Sequence, residues 1–138
     1  HTNSLLFASL ARDAGLDCLV EVSGGRLRFV SGNFVGARAL AYFQETSCQV
    51  AFVGTHGISQ ELAFTDPIAE EVAIKEAMIR KAEKVVVLAD NTKFGSGSLL
   101  TSAQPEDVDV VITDRRANPA MVEALRGRGV QVELVDGE

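Results

Sequence analysis

Short valine-rich segments alternate with stretches of helical periodicity along the chain, and this alternation limits the folds open to it. Five segments have the length and composition of strands: residues 18–22, 50–53, 85–89, 108–113 and 130–135. Four stretches have helical character: residues 3–14, 33–46, 68–83 and 118–127. Strands that alternate with helices need crossover connections. The sequence therefore predicts an α/β fold, a mostly parallel, Rossmann-like sheet flanked by helices.

The ends of two predicted helices carry clear local signals. Thr2, Asn3 or Ser4 can cap the first helix, and Gly15 can end it. The last helix is predicted to begin at Asn118-Pro119 and to end at Gly127. Residues 26–30, which follow two glycines, are predicted to add a short hairpin-like strand.

Composition narrows the class of protein. The chain has 138 residues, 46% of them hydrophobic and 23% charged, which suits one soluble domain spanning residues 1–138. A net charge of −6 disfavours nucleic-acid binding by this chain itself. No apolar run approaches the ~20 residues that span a bilayer, and no signal peptide is visible. Cys18 and Cys48 are predicted to be buried free thiols, so we expect a cytoplasmic protein.

Small polar residues follow three predicted strands and precede the first helix. Three strands run into residues 23–25, 54–57 and 90–93, and residues 1–4 precede the first helix. In a parallel sheet, ligands bind outside the carboxyl ends of the strands. Backbone N–H groups and hydroxyls there suit an anion such as phosphate. Any one of these segments could be an ordinary turn, but four together favour a binding site.

Two lysines have positions that call for an explanation. Lys75 interrupts an apolar stripe of the predicted helix, and Glu71, one turn earlier, could pair with it. Lys75 could otherwise extend to water or bind an anionic ligand. Lys93 follows Asp90 in the turn after the third strand and poses the same choice. Asp66 reads as an ordinary negative charge at a helix start.

His56 is the only internal histidine. A single histidine cannot form a metal site, and no cysteine or carboxylate cluster accompanies it in the sequence. We predict a structural or ligand-contacting role for it, and neither a metal nor a cofactor.

Several of these segments, in this order, resemble the C-terminal effector-sensing domain of DeoR-type bacterial transcription regulators. The quoted segments are TNS, SGG, NFVGARAL, FVGTHGIS, EEVAIKEAMIRKA and VVVLADNTKFG, within residues 1–114. The resemblance implies the fold of ribose-5-phosphate isomerase and CoA transferases. It also implies a phosphorylated-sugar effector, self-association, and control of an N-terminal winged helix-turn-helix domain that this sequence does not contain. A first strand and a phosphate-binding loop are then expected before His1.

The resemblance also assigns roles to positions of this chain. It places at the ligand cleft Thr2, Asn3, Ser4, Gly24, Gly25, Gly54, Thr55, His56, Gly57, Lys75, Asp90 and Lys93. Lys75 and Lys93 are then cations near phosphate or sugar oxygens, and Asp90 orients Lys93 or accepts a sugar hydroxyl. Residues 60–66 depart from the family pattern, which commonly has a glycine there.

A sugar-phosphate isomerase on the same fold is the alternative. Isomerases of this fold carry an Asp-Gly-Ala-Asp stretch after the central strand, and proton transfer needs such a base within reach. This chain has Val53-Gly54-Thr55-His56 there and no carboxylate. We therefore predict a sensor with no catalytic residues.

Overall fold

The structure, a computed structural model, describes residues 1–15 and 17–136. It divides into an N-terminal unit, His1–Thr46, and a C-terminal unit, Ser47–Glu138. The four predicted helices and four of the five predicted strands are confirmed, with shifted boundaries.

The N-terminal unit contains two helices and a hairpin. Its elements are α1 (Leu5–Asp13), β1 (Arg26–Arg28), β2 (Asn33–Val35) and α2 (Ala37–Glu45). The hydroxyl of Ser4 caps α1 by accepting a 3.2 Å hydrogen bond from the N–H of Phe7. Gly15 follows the helix with φ of 63°, a conformation that suits glycine. The strands β1 and β2 are antiparallel, as the hairpin prediction required.

One prediction for this unit is wrong, and one helix begins later than predicted. Residues 18–22 do not form a strand, because only Val22 pairs with another segment, in one isolated bridge to Thr2. Leu19 is 87% exposed and Cys18 is exposed, so this segment lacks the burial that its composition suggested. The helix predicted from residue 33 begins at Ala37, since residues 33–35 pair with β1 instead.

The C-terminal unit contains the main sheet and two helices. Its elements are β3 (Cys48–Gly54), β4 (Gly57–Ile58), β5 (Phe64–Asp66), α3 (Ala69–Lys81), β6 (Ala82–Leu88), β7 (Leu100–Ala103), β8 (Val110–Asp114), α4 (Pro119–Gly127) and β9 (Gln131–Val135). The main sheet has the order β3-β6-β8-β9, and every pair in it is parallel. A small antiparallel sheet, β4-β5-β7, was not predicted.

One face of the main sheet forms the core of this unit. Val53, Val87 and Val111 on neighbouring strands are buried together with residues of α4 such as Leu125. This burial of aliphatic side chains stabilises the sheet by roughly 1.5–3 kcal/mol per fully buried residue. Cys48, at the start of β3, is only partly buried against the core.

The register of the main sheet determines where its loops meet. Gly54 lies beside Leu88, and Leu88 lies beside Ile112. The strands β3, β6 and β8 therefore end at one edge, and the segments that follow them lie on the same side of the sheet. Within the described residues, no helix is long and apolar enough to cross a membrane.

Candidate functional site

The segments that follow β3 and β6 pack against each other. A side chain at Gly57 would place its Cβ 1.7 Å from the carbonyl oxygen of Ser96, so the two backbones approach as closely as only glycine permits. The N–H of Gly95 also donates a 2.9 Å hydrogen bond to the carbonyl of Ile58. The structure thus brings the predicted residues Gly54–Gly57 close to the segment that contains Lys93.

Hydrogen bonds from β5 hold the loop after β3, which we call the β3 exit loop (Gly54–Gly57). The hydroxyl of Thr55 lies 2.9 Å from the carbonyl oxygen of Gly57 and 3.1 Å from that of Thr65. The hydroxyl of Thr65 donates to the carbonyl of Gly57 at 2.9 Å. The side chain of His56 is exposed, but its N–H is directed at β5. The loop is therefore fixed by its backbone, and its imidazole is left at the surface.

The carboxylate of Asp66 connects the β3 exit loop to three other elements through hydrogen bonds. One carboxylate oxygen accepts from the N–H of His56 at 3.2 Å, and that N–H also reaches the carbonyl of Thr65 at 3.1 Å. The other oxygen accepts 2.6 Å and 2.7 Å hydrogen bonds from the ammonium of Lys75 and the hydroxyl of Ser102. The side chains of Lys75 and Asp66 are only 16% and 11% exposed. One buried carboxylate thus joins α3, β5, β7 and the β3 exit loop.

These contacts correct two interpretations made from the sequence. Asp66 is not an ordinary charge at a helix start, because it lies in β5 and α3 begins three residues later at Ala69. The partner of Lys75 is Asp66 and not Glu71, the residue one helical turn before it. The binding of a ligand by Lys75 stays a prediction.

Asp90 caps the short 3₁₀ turn Asn91–Lys93 that follows β6. Its carboxylate accepts a 2.8 Å hydrogen bond from the N–H of Thr92 and a second bond from the hydroxyl of Thr92. These two bonds hold the pKa of Asp90 below its usual range, and the nearby charge of Lys93 lowers that pKa less. Asp90 and Lys93 form no ion pair in the part of the chain that the structure describes, although their charges are close enough to interact. That Asp90 orients Lys93 or accepts a sugar hydroxyl stays a prediction. Lys93 is half-buried, and the described residues give its ammonium neither a hydrogen bond nor an ion pair.

Two residues at the end of β8 belong to the same edge and were not predicted. The buried carboxylate of Asp114 accepts a 2.7 Å hydrogen bond from the N–H of Asn91. It also accepts bonds of 3.0 Å from the backbone N–H and from Nε of Arg116. The bond from Asn91, followed by those from Arg116, holds the pKa of Asp114 below its usual range against the opposing effect of desolvation. Both residues directly follow the strand predicted at residues 108–113, so the rule that ligands bind beyond the carboxyl ends of strands also points to them.

These carboxylates act as hydrogen-bond acceptors. Within residues 1–15 and 17–136, no group of three histidine, cysteine, aspartate or glutamate residues could hold a metal ion. Asp66, Asp90 and Asp114 instead organise the loops at the edge of the sheet through the bonds described above.

The predicted site residues Thr2, Asn3 and Ser4 use their side chains within the N-terminal unit. Thr2 Oγ1 accepts from the N–H of Ser4 at 3.0 Å, and the side-chain amide of Asn3 donates to the carbonyl of Phe34 at 3.2 Å. The hydroxyl of Ser4 caps α1. Ligand contacts by these three residues stay a prediction.

The predicted glycine pair also has a structural explanation. Gly24 and Gly25 have φ of 66° and 111°, which side chains rarely adopt. A Cβ on Gly25 would lie 2.7 Å from the carbonyl oxygen of Val35. The close approach of Gly25 to β2 accounts for glycine there, and its contact with a ligand stays a prediction.

A parallel sheet with polar loops at its carboxyl edge is the architecture of many α/β proteins that bind small molecules. Residues 1–115 match the family described as the DeoR C terminal sensor domain. The chain belongs to this family.

Relatives at 25–36% identity support the assignment. The HTH-type transcriptional regulator GlpR of Haloferax volcanii is 36% identical over 86% of this chain and 46% of its own length. The HTH-type transcriptional repressor GlcR of Bacillus subtilis is 32% identical over 98% of this chain and 52% of its own length. The glycerol-3-phosphate regulon repressor of Escherichia coli K12 is 25% identical over 86% of this chain and 47% of its own length. The chain spans about half the length of these curated relatives.

Proposed function

We propose that this chain is the sensing domain of a transcriptional regulator and that the carboxyl edge of its main sheet binds a phosphorylated sugar. The observation that carries the proposal is the partial burial of Lys93 without an ion-pair partner. Lys93 is half-buried, and within the described residues its ammonium has neither a hydrogen bond nor an ion pair. The nearby carboxylate of Asp90 is hydrogen-bonded to Thr92 instead.

Electrostatics explains why Lys93 suits a phosphate group. A cation that is partly removed from water and has no hydrogen-bonded counter-ion is only partly compensated for the solvation it loses. A phosphate ester would supply the opposite charge and several strong acceptors at once. The β3 exit loop, which packs beside the segment containing Lys93, offers hydroxyl and backbone groups to the sugar. The exposed guanidinium of Arg116, already oriented by Asp114, provides a second cation at the same edge.

The same edge supports binding rather than isomerisation. The β3 exit loop contains no carboxylate. The carboxylate that reaches this loop, Asp66, is engaged by Lys75, Ser102 and the N–H of His56. A carboxylate whose oxygens already accept these three hydrogen bonds would have to give one of them up before it could take a proton from a sugar carbon.

Names of relatives support the regulatory part of the proposal. The relatives quoted above are named as regulators or repressors, one of them for the glycerol-3-phosphate regulon. By analogy, the sensing domain would act on a DNA-binding domain of a longer protein. The phosphorylated sugar would favour one arrangement of the site, and this shift in population would change the affinity for operator DNA. Self-association of the regulator is part of the same proposal.

Thermal unfolding with matched sugars tests the binding step. The 138-residue chain would be heated with glucose 6-phosphate, fructose 1-phosphate or glycerol 3-phosphate, each paired with its unphosphorylated parent. A ligand at about 100 times its Kd adds about 2.7 kcal/mol, which raises Tm by roughly 5–10 °C for a domain of this size. We expect one phosphate ester to raise Tm and its parent compound to have no effect. Equal shifts with both members of a pair would contradict phosphate recognition.

Two lysine variants, one at the proposed site and one control, test whether Lys93 contacts the phosphate. Lys93→Met should raise the Kd for the active phosphate ester about tenfold or more, because a charge-assisted contact is lost. Lys84→Met is the matched control, since Lys84 is an exposed lysine on β6 itself. If both variants bind as the parent does, Lys93 does not contact the phosphate.

A further inference from the structure

We infer that Asp66 is the positioning residue of the β3 exit loop, and that Lys75 acts through Asp66 rather than on a ligand. The inference deepens the proposed function, because it says which buried groups shape the phosphorylated-sugar site. It assigns to the Lys75–Asp66 pair a role different from the ligand contact that the family resemblance implies for Lys75.

The two carboxylate oxygens of Asp66 bond to different parts of the unit. One oxygen accepts from the N–H of His56, in the middle of the β3 exit loop. The other accepts from Lys75 on α3 and from Ser102 on β7. The carboxylate therefore links the loop to two elements outside it. A displacement of Asp66 would release the side-chain bond to His56 and leave that N–H with the carbonyl of Thr65 alone.

The positive charge of Lys75 is already compensated by Asp66. Its ammonium lies 2.6 Å from the carboxylate, and both side chains are more than four-fifths buried. Drawing this ammonium toward a phosphate would leave the carboxylate of Asp66 unpaired in a buried position, which is strongly unfavourable. Lys93, in contrast, has no carboxylate to abandon in the described part of the chain. The two lysines therefore have different roles, Lys75 holding Asp66 and Lys93 facing the ligand.

Two double variants can separate the roles of Asp66 and Lys75. An asparagine at position 66 has nearly the shape of aspartate. Its carbonyl oxygen can still accept a hydrogen bond from the N–H of His56, and its amide group can donate one to Ser102 Oγ. Its amide donor would oppose the ammonium of Lys75, so Lys75 must be replaced at the same time. The double variant Asp66→Asn/Lys75→Met is therefore neutral and still able to bond to His56. The double variant Asp66→Ala/Lys75→Met is equally neutral and has no acceptor for His56.

Comparison of these two double variants tests the inference with binding. The probes are the phosphate ester with the largest thermal shift in the panel above and inorganic phosphate. We expect the asparagine variant to bind the ester within about threefold of the parent. The alanine variant should bind it about tenfold more weakly, the loss expected for one hydrogen bond that fixes the loop. A tenfold loss in both variants would show that Lys75 contacts the ligand and would overturn the inference, as would parental affinity in both.

A second measurement needs no ligand. Hydrogen exchange of the His56 amide reports directly on opening of the β3 exit loop. We expect exchange at His56 to be several-fold faster in the alanine variant and close to the parental rate in the asparagine variant. Equal rates in the parent and both variants would overturn the positioning role even if no phosphate ester binds. If exchange follows the expectation but no ester binds, the proposed function fails and the positioning role stands.

A control covers the case in which the alanine variant does not fold. Ser102→Ala removes one donor to Asp66 and leaves the bonds to Lys75 and His56 in place. Its His56 exchange rate should stay near that of the parent, within about twofold once its stability is taken into account. If the alanine variant does not fold, the affinity of the asparagine double variant alone tests whether Lys75 contacts the ligand. A tenfold loss of affinity in that variant would overturn the inference.

Discussion

The segments that follow β3 and β6, the exits of these strands, lie side by side, but the lysines near them have different environments. The exit of β3 is held by Asp66, whose charge is compensated by Lys75 at 2.6 Å. The exit of β6 is capped by Asp90, whose carboxylate is bonded to Thr92, so Lys93 is left with no partner among the described residues. The comparison teaches that a lysine near a site is informative only when its counter-ion is known. The first exit is held by an ion pair, and the second has a lysine without an ion pair, which is the one we propose to bind the ligand.

The largest expected effect tests the contact between the two exits. Gly57→Ala should lower the free energy of unfolding by about 4 kcal/mol or more, because its Cβ would lie 1.7 Å from a backbone oxygen of Ser96. Urea denaturation would measure the change. Gly54→Ala is the matched control, since nothing lies within 4 Å of a Cβ built there. A Gly57 variant as stable as the Gly54 variant would mean that the two exits do not pack together.

The second largest expected effect tests the Lys75–Asp66 ion pair at the exit of β3. Lys75→Met should cost about 2–3 kcal/mol, because it leaves the carboxylate of Asp66 buried without its cation. Lys84→Met, which removes an exposed lysine from β6, should change stability by less than about 0.5 kcal/mol. Chemical denaturation of both variants gives the comparison. A Lys75 variant no less stable than the Lys84 variant would show that the pair does not hold the loop.

Much of the fold could be predicted because its signals are local. Valine-rich runs, the Ser4 and Asn118 caps and the glycines after helices each act within a few residues. The segment at residues 18–22 has the composition of a strand, but a strand also needs a partner, and only Val22 finds one. The strands β4, β5 and β7 have two to four residues each, too few for any periodicity to be read.

The site was predictable to the extent that it follows strand ends. That rule located the β3 exit loop and Lys93, because parallel strands end at one edge of the sheet. The same rule applies to Arg116, which follows the end of β8 and is bonded to Asp114 there. Asp66, in contrast, was misread. Its position before a helix suggested a charge that complements the helix dipole, whereas its pairing with Lys75 depends on the antiparallel sheet that the sequence did not reveal.

A smaller effect concerns the carboxylates at the exits of β6 and β8. Asp90 and Asp114 have pKa values lowered by hydrogen bonds to their ionised forms. A lowered folded-state pKa means that each contributes stability above the unfolded value, near 4, and that this contribution is lost as the pH falls through the lowered pKa. We therefore expect the stability difference between the parent and Asp114→Asn to be largest near neutral pH and to shrink below about pH 4. Urea denaturation between pH 7 and pH 2 measures it, and parallel curves would contradict the role of Asp114.

The smallest expected effect on stability belongs to the residue with the largest proposed role in binding. Lys93→Met should change the free energy of unfolding by less than about 0.5 kcal/mol, since the described residues give the ammonium no bond to lose. Denaturation of this variant beside Lys75→Met would separate the two lysines by stability alone. A loss above about 1 kcal/mol would reveal a structural partner for Lys93 and remove the reason to expect an anion there. An unchanged stability combined with weaker binding of a phosphate ester would show that the exit of β6 keeps its charge for the ligand.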